Sequence, residues 1–126
     1  MRRLLEANLT SGLQAAREAR RLVGQLEGLD GVADDIILLV SELVTNSYRH
    51  GGLKAGDGIS LTVTRSGKTV RVEVSDPGRG VTIPAPRTPT VDGGWGLEIV
   101  RRTAHRWGVR TAADATVVWF EFDTDM

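Results

Sequence analysis

The chain has 126 residues, with 16 basic and 16 acidic side chains that cancel to a formal net charge of zero. Neutrality argues against direct nucleic-acid binding, because counterion release needs a basic surplus. The lack of cysteine excludes disulfides, thiolate metal sites and cysteine nucleophiles. No apolar run approaches the ~20 residues of a membrane span, and no continuous apolar segment follows the N-terminal arginines, so neither a membrane anchor nor a signal peptide is expected. With 40% hydrophobic and 25% charged residues, the composition fits one cytoplasmic globular domain over residues 1–126.

In chain order, Leu4 to Leu9 reads as a short strand. Thr10 or Ser11 can cap a helix through its hydroxyl oxygen, after which Leu13, Ala16, Arg20, Val23 and Leu26 follow helical spacing, with the arginine stem sharing the apolar face. Gly28 reads as its stop. Over Val32 to His50, the apolar residues Ile36, Leu39, Val40, Leu43 and Val44 recur at three- and four-residue intervals, which predicts a long helix. Asp34 and Asp35 suit the dipole at its start, and Gly51 and Gly52 supply a left-handed C-terminal cap. Then the period changes to two. Ile59, Leu61 and Val63 alternate with Ser60, Thr62 and Thr64, and Val70, Val72 and Val74 alternate with Arg71 and Glu73. With Ser66-Gly67 between them, these runs predict a β-hairpin with one buried face. Asp76-Pro77-Gly78-Arg79-Gly80 ends the second strand. Val81 to Asp92 carries three prolines and no periodicity, and it is long enough for a lid. Leu97, Val100, Ala104 and Trp107 form a helical stripe, and Thr116 to Phe122 is a β-former run. The expected class is α+β, a two-layer sandwich of a mixed, mainly antiparallel sheet with helices on one face.

Three constellations carry candidate chemistry. Glu42, Asn46 and His50 recur every four residues along the long helix, drifting about 40° per step. A carboxylate and an amide oxygen one turn apart suit Mg²⁺ or the orientation of a hydroxyl; a solvated helix edge would show the same spacing. Asp76 closes a buried strand beside Gly78 and Gly80, where a carboxylate can accept from an exocyclic amine and the glycines let the backbone approach a ligand. An ordinary Asp-Pro-Gly turn is the alternative. Gly93-Gly94-Trp95-Gly96-Leu97 opens a helix, where bared N–H groups and the dipole favour a phosphate. It is neither a Walker loop, since no Lys-Ser/Thr follows, nor a Rossmann fingerprint, and a loop end before a helix start is its alternative.

Taken in order, these segments resemble the ATP-binding domain of the GHKL superfamily, and more narrowly the bacterial anti-sigma-factor serine/threonine kinases. The resemblance spans about Leu4 to Phe122. The run from Glu42 to Gly51 is similar to the family's N box, Asp76 to Gly80 to its D-x-G-x-G box, and Gly94 to Leu97 to its G-x-G-L box. It implies a Bergerat-type site taking ATP and Mg²⁺. In that site Asn46 holds the metal, Glu42 acts as the base on a Ser or Thr hydroxyl, and Asp76 accepts from the adenine amine. Gly78 and Gly80 let the backbone pass the base, while Gly94, Trp95, Gly96 and Leu97 form the phosphate turn. Thr116 lies near the adenine and His50 near the phosphates. The implied partners are a sigma factor, an anti-anti-sigma antagonist and a second copy of the chain in a homodimer.

Four readings follow from these motifs. The first is an anti-sigma factor that phosphorylates its antagonist on Ser or Thr and sequesters the sigma factor. The second is an ATP-binding regulatory module without phosphotransfer. The third, a catalytic fragment of a sensor histidine kinase, is disfavoured because no helix pair carries a phospho-acceptor His. The fourth is an α+β protein that binds no nucleotide.

Overall fold

Period-two alternation builds the sheet. The computed structural model describes residues 1–10, 12, 14–29, 31–50, 58–77, 95–112 and 115–124, apart from the side chains of 46–50, 95–97 and 112. The strands are β1 (Arg2–Thr10), β2 (Gly58–Ser66), β3 (Thr69–Asp76), β4 (Arg106–Ala112) and β5 (Ala115–Asp123). They form one sheet in the order β1-β2-β3-β5-β4, and every neighbouring pair is antiparallel. The helices are α1 (Ala15–Gly24), α2 (Ala33–His50) and α3 (Trp95–Thr103). This is the expected α+β sandwich.

Hairpin β2–β3 turns through Gly67 and Lys68, since Ser66 pairs with Thr69. Gly67 has φ +59°, a left-handed conformation that a two-residue hairpin favours and that glycine adopts without a Cβ penalty. One face of the sheet is apolar in register across all five strands. Leu5, Val63, Val72, Phe120 and Trp107 form one cross-strand row, and Ala7, Leu61, Val74, Val118 and Val109 form the next. Ile36, Leu39, Val40, Leu43 and Val44 of α2 are buried in the same core, so the stripe read from the sequence is the stripe that packs. Arg65 closes one end of this core, its guanidinium donating to the carbonyls of Gly28 and Gly67 and to the Thr124 hydroxyl.

Several boundaries differ from the sequence reading. The first strand is longer, because it pairs with β2 from Arg2 to Thr10. Thr10 therefore lies in the sheet and caps no helix. The α1 N-cap is Gln14, with no side-chain capping bond; Ser11 and Leu13 lie outside the described residues. The buried α1 stripe is Ala15, Ala19 and Val23, small residues that permit close approach to α2. Arg20 is exposed and donates to Ser41 Oγ of α2 at 2.8 Å, so its stem is not part of that stripe. The helix stops at Gly24, and Gly28 serves the loop with φ +82°. At the other end of the chain, α3 stops at Thr103. Trp107 is not its last apolar residue; it sits in β4 opposite Phe120. The alternation of Trp107, Val109 and Thr111 was obscured by Gly108 and the flanking arginines. Strand β5 starts one residue before Thr116 and ends one after Phe122.

The other sheet face carries an ion-pair lattice. Arg106 of β4 donates to Glu121 and Asp123, Arg71 of β3 donates to Glu121 and Glu73, and Arg110 reaches Glu73. Trp119 lies between these charges, with the Arg71 guanidinium 4.1 Å from its ring centroid. Its indole occupies the space beside Gly108, where a Cβ would stand 2.7–2.8 Å from ring atoms. Gly108→Ala is therefore expected to cost about 1–3 kcal/mol through forced repacking. An unchanged urea midpoint would show that the indole moves aside without cost.

The lattice also sets an acid limb. Hydrogen bonds from Arg106, and then from Thr69, hold Asp123 at about 2. Glu121 is lowered chiefly by Arg106. For Glu73, burial is the largest single influence and acts upward, but the Arg71 and Arg110 interactions outweigh it and the net shift is downward. Carboxylates depressed in the folded state contribute stability that is complete above the unfolded value of about 4 and is lost as pH falls through the folded values. The melting temperature should drop between about pH 4 and pH 2. Arg106→Gln should lower it at neutral pH and flatten that drop; parallel curves for the variant and parent would show that the lattice does not set the acid limb.

Candidate functional site

The row that continues the apolar face past Ala7, Leu61 and Val74 changes character halfway across the sheet. Leu9 and Ile59 are paired and buried, as in the rows before. Asp76, however, is the last residue of β3, and its register partner is Thr116 of β5, which pairs in turn with Thr111 of β4. Strand parity forces this placement. Val70, Val72, Val74 and Asp76 alternate on one face, as do Thr116, Val118, Phe120 and Phe122. Asp76 is 8% exposed and Thr116 4%. A buried carboxylate beside a buried hydroxyl, at the end of an otherwise apolar face, is costly in a protein that uses neither. The same pair suits a flat heterocycle that carries an amine donor and rests on apolar residues.

Helix α2 packs against both β3 and α3, so three of the elements that carry motif residues meet. Glu42 is half-buried on α2, flanked by buried Leu39 and Leu43. Its neighbour Ser41 accepts from Arg20, which ties this turn of α2 to α1. Asn46 and His50 follow on the same helix, four and eight residues on; their side chains lie outside the described residues. Trp95, Gly96 and Leu97 form the first turn of α3, also without described side chains. Gly78, Gly80 and Gly94 lie outside the described residues, as do the Val81 to Asp92 segment and the Gly51-Gly52 cap. The structure thus brings Asp76 and Thr116 together and sets α2 and α3 against each other.

Two polar residues were missed by the sequence reading. Glu98, in the first turn of α3, is buried at 5% exposure. Arg101 Nε donates to its carboxylate at 3.0 Å and Arg102 Nε at 2.8 Å, and these bonds, Arg101's first, hold it below the usual carboxylate range. The spacing of three and four residues between opposite charges was its signal. Thr111 was missed because β4 was missed. Among the described residues, no group of three His, Cys, Asp or Glu side chains is placed to hold a metal ion. That excludes a described all-carboxylate or imidazole cage. It leaves the sort of site in which one protein oxygen joins phosphate oxygens and water around Mg²⁺.

An open antiparallel sheet covered by helices, with a buried Asp at a strand end beside a long helix, defines a nucleotide-binding domain of the GHKL type. The chain belongs to the histidine kinase-like ATPase domain family, whose model matches residues 5–122. It is thus an ATP-binding domain. It is 36% identical over 81 residues to the uncharacterized protein SCO4941 of Streptomyces coelicolor, an alignment covering 63% of this chain and 76% of that one. Two solved structures share the fold. The RsbU and RsbW domains of Rv1364c from Mycobacterium tuberculosis match with TM-score 0.72 and 21% identity over 94% of this chain. The histidine kinase domain of the Erythrobacter litoralis EL346 blue-light activated histidine kinase matches with TM-score 0.58 and 23% identity over 87% of it. The present chain spans 32% of the first of these chains and 58% of the second. No described helix is long and apolar enough to cross a membrane.

Asp76→Asn replaces an acceptor with a mixed donor and acceptor at a buried position. Nucleotide binding should weaken by about 1–3 kcal/mol, the cost of a mispaired buried polar group. Isothermal titration with Mg-ATP measures this, and unchanged affinity would remove Asp76 from the base site.

Proposed function

We propose that this chain is an ATP-binding anti-sigma factor that phosphorylates a Ser or Thr of an antagonist protein and sequesters a sigma factor, working as a single domain and a homodimer in the cytoplasm. The observation that carries the reading is the buried Asp76–Thr116 pair at the end of an apolar face, with Glu42 half-buried on the helix packed against the same strand. The family match over residues 5–122 and the fold shared with the RsbU and RsbW domains of Rv1364c support the ATP-binding part of this reading.

The residues divide the work. Asp76 accepts from the amine of the base and Thr116 lines the same pocket. Gly78 and Gly80 keep the backbone clear of the ring. Trp95, Gly96 and Leu97 of the first turn of α3, with Gly94 before them in the sequence, would present N–H groups to the phosphates, where the dipole of a helix N-terminus favours negative charge. Asn46 would supply one hard oxygen to Mg²⁺, and His50 would approach the phosphates. Bound Mg²⁺ would neutralise phosphate charge. Glu42 accepts the proton of the attacking hydroxyl as the new P–O bond forms, the bond to the bridging oxygen breaks and ADP leaves. Phosphoryl transfer needs positioning and charge neutralisation more than covalent help, so one carboxylate suffices.

Glu42→Ala separates the kinase from a module that only holds ATP. The variant should bind Mg-ATP within about twofold of the parent but lose transfer to the antagonist by about 10²-fold or more. Radiolabelled Mg-ATP with the cognate antagonist gives the readout. If the parent transfers no phosphate while still binding antagonist and ATP, the regulatory module without phosphotransfer is the correct reading.

A further inference from the structure

We propose that Thr111 is a third member of the base-reading row, a specificity-determining contact at the end of the nucleotide base remote from Asp76. This inference rests on the placement of the base at Asp76 and Thr116. It is carried by register: Thr111 pairs with Thr116, which pairs with Asp76, so all three side chains stand on one face at one level of the sheet. Parity supports the same orientation, because Val109 and Trp107, two and four residues earlier on β4, pack against the core from that face.

Polarity makes the row specific. In the two rows before it, every partner across β1, β2, β3, β5 and β4 is apolar, including Trp107 and Val109 of β4 itself. The last row becomes polar on three adjacent strands at once, in the order carboxylate, hydroxyl, hydroxyl. Asp76 and Thr116 are buried and Thr111 is exposed. The row is thus covered over β3 and β5 and open to solvent at the β4 edge. Two interstrand spacings, about 9.6 Å, separate the outer members, which accommodates a planar heterocycle with a hydrogen bond at either end. The base therefore lies across the strands, with its amine on Asp76 and its far edge toward Thr111. The ligand class is an aminopurine nucleotide.

Isothermal titration of the full chain with Mg-ATP tests this. Thr111→Val keeps the shape and strand preference of the side chain and removes the hydroxyl; it should weaken binding about 3- to 10-fold, the size of one hydrogen bond, with an unchanged melting temperature. Thr111→Ser should bind like the parent. Thr111→Ala takes the place of the valine variant if that one fails to fold. Parent-like affinity in the valine variant overturns the proposal, as does equal weakening by valine and serine, which would indicate packing rather than a hydroxyl contact. Loss on Asp76→Asn alongside no change at Thr111 would leave the base site standing and remove only its third member. No binding of Mg-ATP by the parent would remove the base site and the third member together.

Discussion

Strand parity is the constraint on which the rest of the molecule depends. A strand has period two, so a slip of one residue between β3 and β5 would turn out to solvent either Val72 and Val74 or Phe120 and Phe122. Phe120 and Val72 are fully buried and Phe122 nearly so, so the register is held by several large side chains at once, each contributing about 1.5–3 kcal/mol on burial. Asp76 has no freedom within this arrangement. Its burial follows from the valines that precede it at even spacing and from its pairing with Thr116. A costly carboxylate is carried to the core face by the same alternation that makes the core. On the proposed reading, that coupling places the base-recognition group by the sheet register rather than by a loop.

The opposite face follows the complementary logic. Its positions are filled by Arg71, Glu73, Glu121, Asp123, Arg106 and Arg110, which pair with one another across β3, β5 and β4. Exposed pairs of this kind are individually weak, yet here they connect into one lattice with equal numbers of each sign. The zero net charge of the chain thus has a local counterpart. The edge strand β4 carries two of the lattice's arginines, a feature that discourages edge pairing with other chains. The indole of Trp119 lies within this lattice and fills the gap beside Gly108, so the glycine that hid β4 from the sequence pattern has a packing reason to be there.

What was legible in the sequence follows from these two periods. The α2 stripe and the β2–β3 hairpin were readable because Ile36 through Val44 and Ile59 through Val74 repeat strictly at one period each. Asp76 was readable as a candidate because it follows such a run directly and precedes Pro77 and glycines. β4 was not, since Arg106, Gly108 and Arg110 occupy its outward positions, and a glycine between charges suggests a loop. Trp107 then fell at helical spacing from Ala104 and was assigned to the wrong element. The α1 cap was missed for a different reason: Thr10 is a good capping residue on local grounds, but pairing with Gly58 of β2 claims it for the sheet. Local chemistry gave way to a long-range hydrogen-bonded ladder. Thr111 became visible only once β4 existed, since its importance lies in its partner and not in its neighbours along the chain.

The two periods also divide the proposed labour between the two layers. The sheet holds Asp76, Thr116 and Thr111 in one row by a ladder that cannot slip without losing the core. The helices hold Glu42, Asn46 and the α3 first turn, and a helix can rotate or shift by small steps while its apolar stripe stays buried. α2 is tied to α1 through Arg20 and Ser41, one residue before Glu42, and α3 is braced by Glu98 against its own arginines. On the proposed reading, base recognition is therefore carried by the sheet, whereas the groups that meet the phosphates and the acceptor hydroxyl sit on the helices. Contacts made to α1 would, on that reading, bear on Glu42 through the Arg20–Ser41 bond and not on the strand row that takes the base.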